Sequence, residues 1–183
     1  MNKKGRSLQS YLFFLCVAVI FSCKQDKRPD ISKIDLAIKI ERFDQDLYQA
    51  KNGAIKQTDL ALSKKYGSFY ADYIQKMVGT PELKGTDVLN ILYKDQAYEM
   101  LNKEVDSVYP NLNKVETELT ETFKYIKYYY PKTKVPKFIS YLSGFAYQVV
   151  LADDYMGIGL DMFLGSNSKF YQAIVQSVPL YAS

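Results

Sequence analysis

The 183-residue chain contains no histidine and only two cysteines, at positions 16 and 23. Those absences close off most ways of bracing a fold. One cysteine lies beyond residue 16, so the chain from Cys23 onward has no internal disulfide available to it. Zinc is held by cysteine, histidine and carboxylate. Without histidine, no HExxH helix and no Ser-His or Cys-His catalytic pair can be assembled from these residues. The fold must therefore come from a hydrophobic core. Hydrophobic residues make up 48% of the chain, and 17 Tyr and 10 Phe supply an aromatic share of 15%. That is the composition of a globular chain, and the length suits one domain, or one domain with part of a second.

Residues 1–10 are basic and polar, and Tyr11 to Phe21 (YLFFLCVAVIF) is almost wholly apolar. A run of about eleven residues is too short to span a bilayer, which takes about 20. A positive head, a short apolar stretch and a small residue, here Ser22, follow the plan of a secretory signal peptide. Ile20-Phe21-Ser22-Cys23 resembles a bacterial lipobox, with Phe21 bulkier than the residue usual there. The resemblance implies a lipoprotein signal peptide over residues 1–22, cleavage before Cys23, and acylation of its thiol, palmitate included. Cys16 would leave with the leader, and acylation would cap the lone exported thiol. Several acyl chains on one residue anchor firmly, whereas one chain binds marginally. Residues 23–33, containing KQDKRPD from Lys24 to Asp30, read as a polar tether. The expected location is the cell envelope, lipid-anchored on the periplasmic or outer-membrane side. An ordinary signal peptide with an incidental cysteine and an uncleaved anchor are the competing readings.

The net charge of +4 does not point to nucleic acid. Lys3, Lys4 and Arg6 precede the first acid, Asp26, and belong to the leader. The remainder is close to neutral and lacks the basic footprint that phosphate binding requires.

Along the body, Ile34, Leu36, Ile38 and Ile40 alternate with polar residues and predict a half-buried strand. Asp44 is placed to cap a short helix to about Lys51, and Asn52-Gly53 is a turn signal. A helix is expected from Thr58 to about Val78, with Leu62, Tyr66, Phe69, Tyr70, Tyr73 and Met77 on one face. Two helical pieces follow between Thr86 and Val108. After Pro110 comes another helix, with Asn113 and Glu116 resembling a capping box, ended by Pro131. Pro136 to Phe145, Tyr147 to Ala152 and Met156 to Leu160 are rich in strand formers, with Asp153-Asp154 as a turn. They predict a small antiparallel meander, and Ser166 to Gln176 a last helix. The fold class expected is α+β, a mostly helical amino-terminal part followed by the meander.

Chemistry has few places to sit. No P-loop or GxGxxG is present, and Gly157-Ile158-Gly159 alone is no phosphate cradle. Asp153, Asp154 and Asp161 flank the expected hairpin. Brought together, they could serve as a paired-acid hydrolytic site or as oxygen ligands for calcium. The plainer reading gives Asp153-Asp154 to the turn. Asp161 directly follows an apolar strand, where a charge demands a specific partner. Tyr128 stands in the dense cluster Tyr125 to Tyr130, which either lines a glycan- or peptide-binding face or packs a helix end. No metal site and no cofactor are expected from these residues.

Three stretches carry a family likeness: Arg42-Phe43-Asp44 after the alternating strand, Pro136 to Phe145 (PKFISYLSGF), and Gly159 to Gly165 (GLDMFLG) followed by Tyr171. Together with the lipobox they resemble the gliding-motility lipoprotein GldB family of Bacteroidota, from about Ile34 to the end. The resemblance implies a cell-envelope lipoprotein required for gliding, with a structural or assembly role linked to type IX secretion. Its implied partners are the membrane, through the amino-terminal lipid, and proteins of the gliding and secretion machinery. The family is similar to predicted zincin-type metallopeptidases, which implies a zincin-like domain incomplete within residues 34–183. An enzyme would need a metal-binding helix beyond Ser183, and no family catalytic residue maps onto this chain. A surface glycan- or peptide-binding lipoprotein is the third reading.

Overall fold

The structure, a computed structural model, describes residues 28–177. Contacts divide the chain into two units, Met1–Lys33 and Ile34–Ser183. In the described part of the first, the Ser32 N–H donates to the Asp30 carboxylate at 2.9 Å. Cys23 and the expected signal peptide lie outside the described residues.

The second unit carries the fold. β1 (Ile40–Arg42) runs directly into α1 (Phe43–Gln49), and a 3-10 turn at Ala50–Asn52 leads to α2 (Ile55–Tyr66). α3 (Ser68–Asp72) continues into a π-helical turn, Tyr73–Met77. α4 (Gly85–Lys94), α5 (Gln96–Val108) and α6 (Asn113–Tyr129) follow. The strands come next: β2 (Lys137–Tyr141), β3 (Val149–Leu151) and β4 (Tyr155–Gly159). A 3-10 turn, Leu160–Phe163, and α7 (Lys169–Ser177) complete the order. Helices first and strands later is the α+β arrangement expected.

The sheet corrects the meander. Its order is β1-β2-β4-β3, with β1, β2 and β4 parallel and only β3 antiparallel, to β4. The β3–β4 hairpin turns at Asp153-Asp154 as read from sequence. β2, however, does not pair with β3. After Tyr141 the chain crosses the carboxyl end of β4, and β4 returns between β2 and β3. Such a crossing leaves backbone N–H groups in need of acceptors. Asp161, just past β4, supplies them to Ser143 and Phe145.

Three local readings also shift. The strand expected from Ile34 narrows to Ile40–Arg42, because the segment before it bonds to a helix instead of a strand. The Ile38 N–H donates to Thr120 Oγ1 at 2.9 Å and the Ile40 N–H to Glu116 Oε1 at 3.0 Å. Glu116 thus reaches across to β1 and does not close a capping box; α6 begins after Leu112 with no side-chain cap. The long helix from Thr58 is broken at Gly67, whose φ of +54° only glycine adopts without strain.

Period-two alternation along the strands divides the core. Ile139, Tyr141 and Tyr155 face α1 to α4, where Phe43 is ringed by Tyr66, Phe69 and Tyr73 at centroid distances of 4.9, 5.1 and 4.8 Å, all edge to face. Each such pair adds about 0.5–1.5 kcal/mol beyond its buried area. Ile40, Phe138 and Leu142 face the other way, against Leu101 and Val105 of α5, Leu112 just before α6 and Phe123 of α6.

Candidate functional site

In an open sheet with parallel strands, ligands bind in the crevice outside the carboxyl ends of those strands. Here β1, β2 and β4 end at Arg42, Tyr141 and Gly159, and two buried polar clusters gather around those ends.

The first joins β1 to β2. Asp44 is buried at 2% exposure, and its carboxylate accepts from Arg42 through Nε (3.1 Å to each oxygen) and a terminal nitrogen (2.7 Å). Ser140 Oγ donates to the same carboxylate at 2.6 Å. Asp44 was read from sequence as a helix cap; α1 instead starts at Phe43 with no side-chain cap, and the carboxylate points inward. The remaining Arg42 nitrogen donates to the Tyr109 carbonyl at 3.0 Å, tying the α5–α6 link to β1.

The second cluster closes the crossing loop. Asp161, fully buried, accepts from the Ser143 N–H and hydroxyl at 2.9 Å each and from the Phe145 N–H at 2.6 Å. Phe145 is held at φ +65°, left-handed for a non-glycine residue, directly after Gly144 at +66°. Tyr171 adds a strap from α7: its hydroxyl donates to the Asp161 carbonyl at 2.8 Å and accepts from the Leu164 N–H at 3.2 Å. Gly159 is obligatory here, since a Cβ would lie 2.2 Å from the Tyr147 carbonyl oxygen.

Beside these clusters, on the α5–α6 side of the sheet, lies an apolar cleft of about 250 Å³. Ile40, Ile158 and Leu160 form one side of it, with Tyr109, Leu112, Val115 and Phe163. The Tyr109 hydroxyl donates to the Phe163 carbonyl and bridges the rim, while Phe163 itself stays 46% exposed. Ligand pockets typically run from about 300 to 1,000 Å³, so this cleft suits one or two apolar side chains. Both buried carboxylates beside it are already engaged by donors, and the walls are apolar apart from the Tyr109 hydroxyl, which is itself bonded to the Phe163 carbonyl. The arrangement can bind an apolar side chain.

The residues singled out from sequence are scattered. Asp153 and Asp154 sit exposed at the turn before β4, where the Asp154 carboxylate accepts from Ser68 Oγ at 2.6 Å. Asp161 lies beyond the other end of β4, roughly 20 Å further along the chain at about 3.3 Å per extended residue. The three therefore do not converge. Among the described residues no group of three or more Cys, Asp or Glu is placed to hold a metal ion. Tyr128 is half-exposed near the end of α6, its ring edge to face with Tyr129 at 5.1 Å. Of the cleft residues, Leu112 and Val115 showed only as part of an apolar helix face and Phe163 only as part of the family-like stretch Gly159 to Gly165, while Tyr109 had no signal of its own. Ser140 had one: a hydroxyl inside the apolar run Phe138-Ile139-Ser140-Tyr141-Leu142 needs a buried partner.

The family model described as gliding motility protein GldB matches residues 24–183. No curated protein and no solved structure matches the chain.

Proposed function

The chain belongs to the gliding motility protein GldB family, and on that footing we propose that it is a lipid-anchored cell-envelope protein that serves gliding by holding a partner, not by catalysis. Cys23 carries the acyl anchor, residues 23–33 are the tether, and the cleft on the α5–α6 side of the sheet, lined by Ile40, Ile158 and Leu160, receives the partner. That partner belongs to the gliding and type IX secretion apparatus, and the contribution is to its assembly.

The observation that supports binding over chemistry is the cleft itself: apolar walls, an exposed Phe163 at the rim, and neighbouring carboxylates already saturated by Arg42, Ser140, Ser143 and Phe145. Complementation tests the role and the anchor together. A strain lacking the gene should fail to spread on agar and recover with the wild-type gene. The Cys23→Ala protein should accumulate, leave the membrane fraction and fail to restore spreading. A deletion strain that spreads normally contradicts the proposal.

A further inference from the structure

The end of the domain opposite the cleft is basic and aromatic. From Thr122 to Ala152 the sequence has no acidic residue, while Lys124, Lys127, Lys132, Lys134 and Lys137 all fall there. Tyr128, Tyr129 and Tyr130 are 49, 61 and 68% exposed. Elsewhere in the domain Lys39, Lys65, Lys76 and Lys103 each meet a carboxylate within 2.8 Å, while Lys56, Lys64, Lys84, Lys94 and Lys169 stand without an ion pair among the described residues and are spread along the chain. Lys124, Lys132 and Lys134 have no such ion pair among the described residues. Lys127 caps the helix end, donating to the Pro131 carbonyl at 3.3 Å.

The domain's first residues arrive at this same end. Ile40 bonds to Glu116 and Ile38 to Thr120, so the incoming segment runs antiparallel to α6. Two extended residues cover about the same length as four helical ones, roughly 6–7 Å. Carried back at that register, Ile34 comes level with roughly Tyr128. The eleven residues of the tether can extend at most about 40 Å from there. The acids near this end are Glu121, one turn before Lys124 on α6, Asp35 on the incoming segment, and Asp153 and Asp154 at the turn beside Lys137, whose N–H donates to the Asp154 carbonyl at 2.9 Å.

We propose that the carboxyl end of α6 and the loop to Lys134 dock on an anionic lipid surface. The lysine ammoniums face headgroup phosphates, and the three tyrosines enter the interfacial layer, where an aromatic ring with a polar tip is favoured. Basic residues held close to an anionic leaflet are attracted to it, and salt screens that attraction. The docking rests on the reading of Cys23 as an acyl anchor. It presents the cleft away from the bilayer, toward a partner.

The test uses the full lipidated protein, purified from membranes and reconstituted into vesicles of phosphatidylcholine alone or of phosphatidylcholine with phosphatidylglycerol. Flotation reports the anchor, and amide hydrogen exchange of residues 125–135 reports the docking. Exchange there is expected to slow several-fold on the anionic vesicles only, to recover in high salt, and to recover in the Lys124→Glu/Lys132→Glu/Lys134→Glu protein. Exchange in α4 should not change. A protein that floats with both vesicles yet exchanges equally on them overturns the docking and leaves the anchor standing. A protein that floats with neither overturns the anchor and the docking with it.

Discussion

Asp161 and Ser143 hold one another through two hydrogen bonds of 2.9 Å, the serine N–H to one carboxylate oxygen and its hydroxyl to the other. With the Phe145 N–H added at 2.6 Å, the buried carboxylate has three donors. Its charge stabilises the left-handed turn at Gly144-Phe145 that carries the chain over the end of β4. Asp161→Asn places an amide donor against these donors. It should cost about 2–4 kcal/mol, a fall in Tm of roughly 5–15 °C for a domain of this size. Asp153→Asn, at the exposed turn, should shift Tm by less than about 2 °C. Thermal denaturation of the two proteins checks this.

Arg42 and Asp44 form the other buried pair. Removing one partner leaves an uncompensated charge, so Arg42→Met should cost about 3–5 kcal/mol. Removing both is milder, because the desolvation cost disappears with the charges. Arg42→Met/Asp44→Leu should recover at least about 2 kcal/mol relative to Arg42→Met. Urea denaturation of the four members of the cycle measures it. A double variant as unstable as the sum of the singles contradicts the pairing.

Tyr141 presents the reverse case. Its hydroxyl is buried and meets no protein partner among the described residues. An unmet hydroxyl contributes nothing and carries its desolvation cost. Tyr141→Phe should therefore leave stability unchanged or raise it by up to about 1 kcal/mol, again by urea denaturation. A loss above about 2 kcal/mol would mean that an ordered water satisfies the hydroxyl.

Alkaline pH should unfold the domain through its tyrosines. Burial pushes Tyr93 up to about 12. Tyr66, Tyr70 and Tyr155 are raised further, first by burial and then by donating to Asp46, Asp59 and Asp72. The folded state therefore keeps protons that the unfolded state loses near pH 10. Their contribution is complete below about pH 10 and is lost as pH rises through the folded values. The urea midpoint should be flat from pH 8 to about 9.5 and fall steeply by pH 11. Tyrosinate absorbance should rise in step with unfolding.

The sequence made part of this legible. Helical spacing placed Leu62, Tyr66, Phe69, Tyr70 and Tyr73 on one face, and all five are buried. A charge placed directly after the apolar strand demanded partners, and Asp161 has three. What stayed hidden was non-local. The apolar run Phe138–Leu142 reads the same whether its neighbour is a hairpin partner or a strand that returns in parallel. The choice is made by Asp161 holding a loop 16 to 18 residues earlier. An acid three places into a helix reads as a capping-box member, yet Glu116 spends its carboxylate on Ile40, 76 residues away. Asp44 misled partly for the same reason: besides Arg42, two residues away, its carboxylate is held by Ser140, 96 residues distant.

The central claim, that this gliding-family protein works by binding through the apolar cleft on the α5–α6 side of the sheet, is tested most directly by photo-crosslinking in gliding cells. A photoreactive residue would replace Phe163 at the rim of the cleft or, as control, Leu60, which is 69% exposed on α2. The account predicts one discrete crosslinked product from position 163 and none from position 60. No product at 163 in cells that still glide, or the same product from both positions, would contradict it.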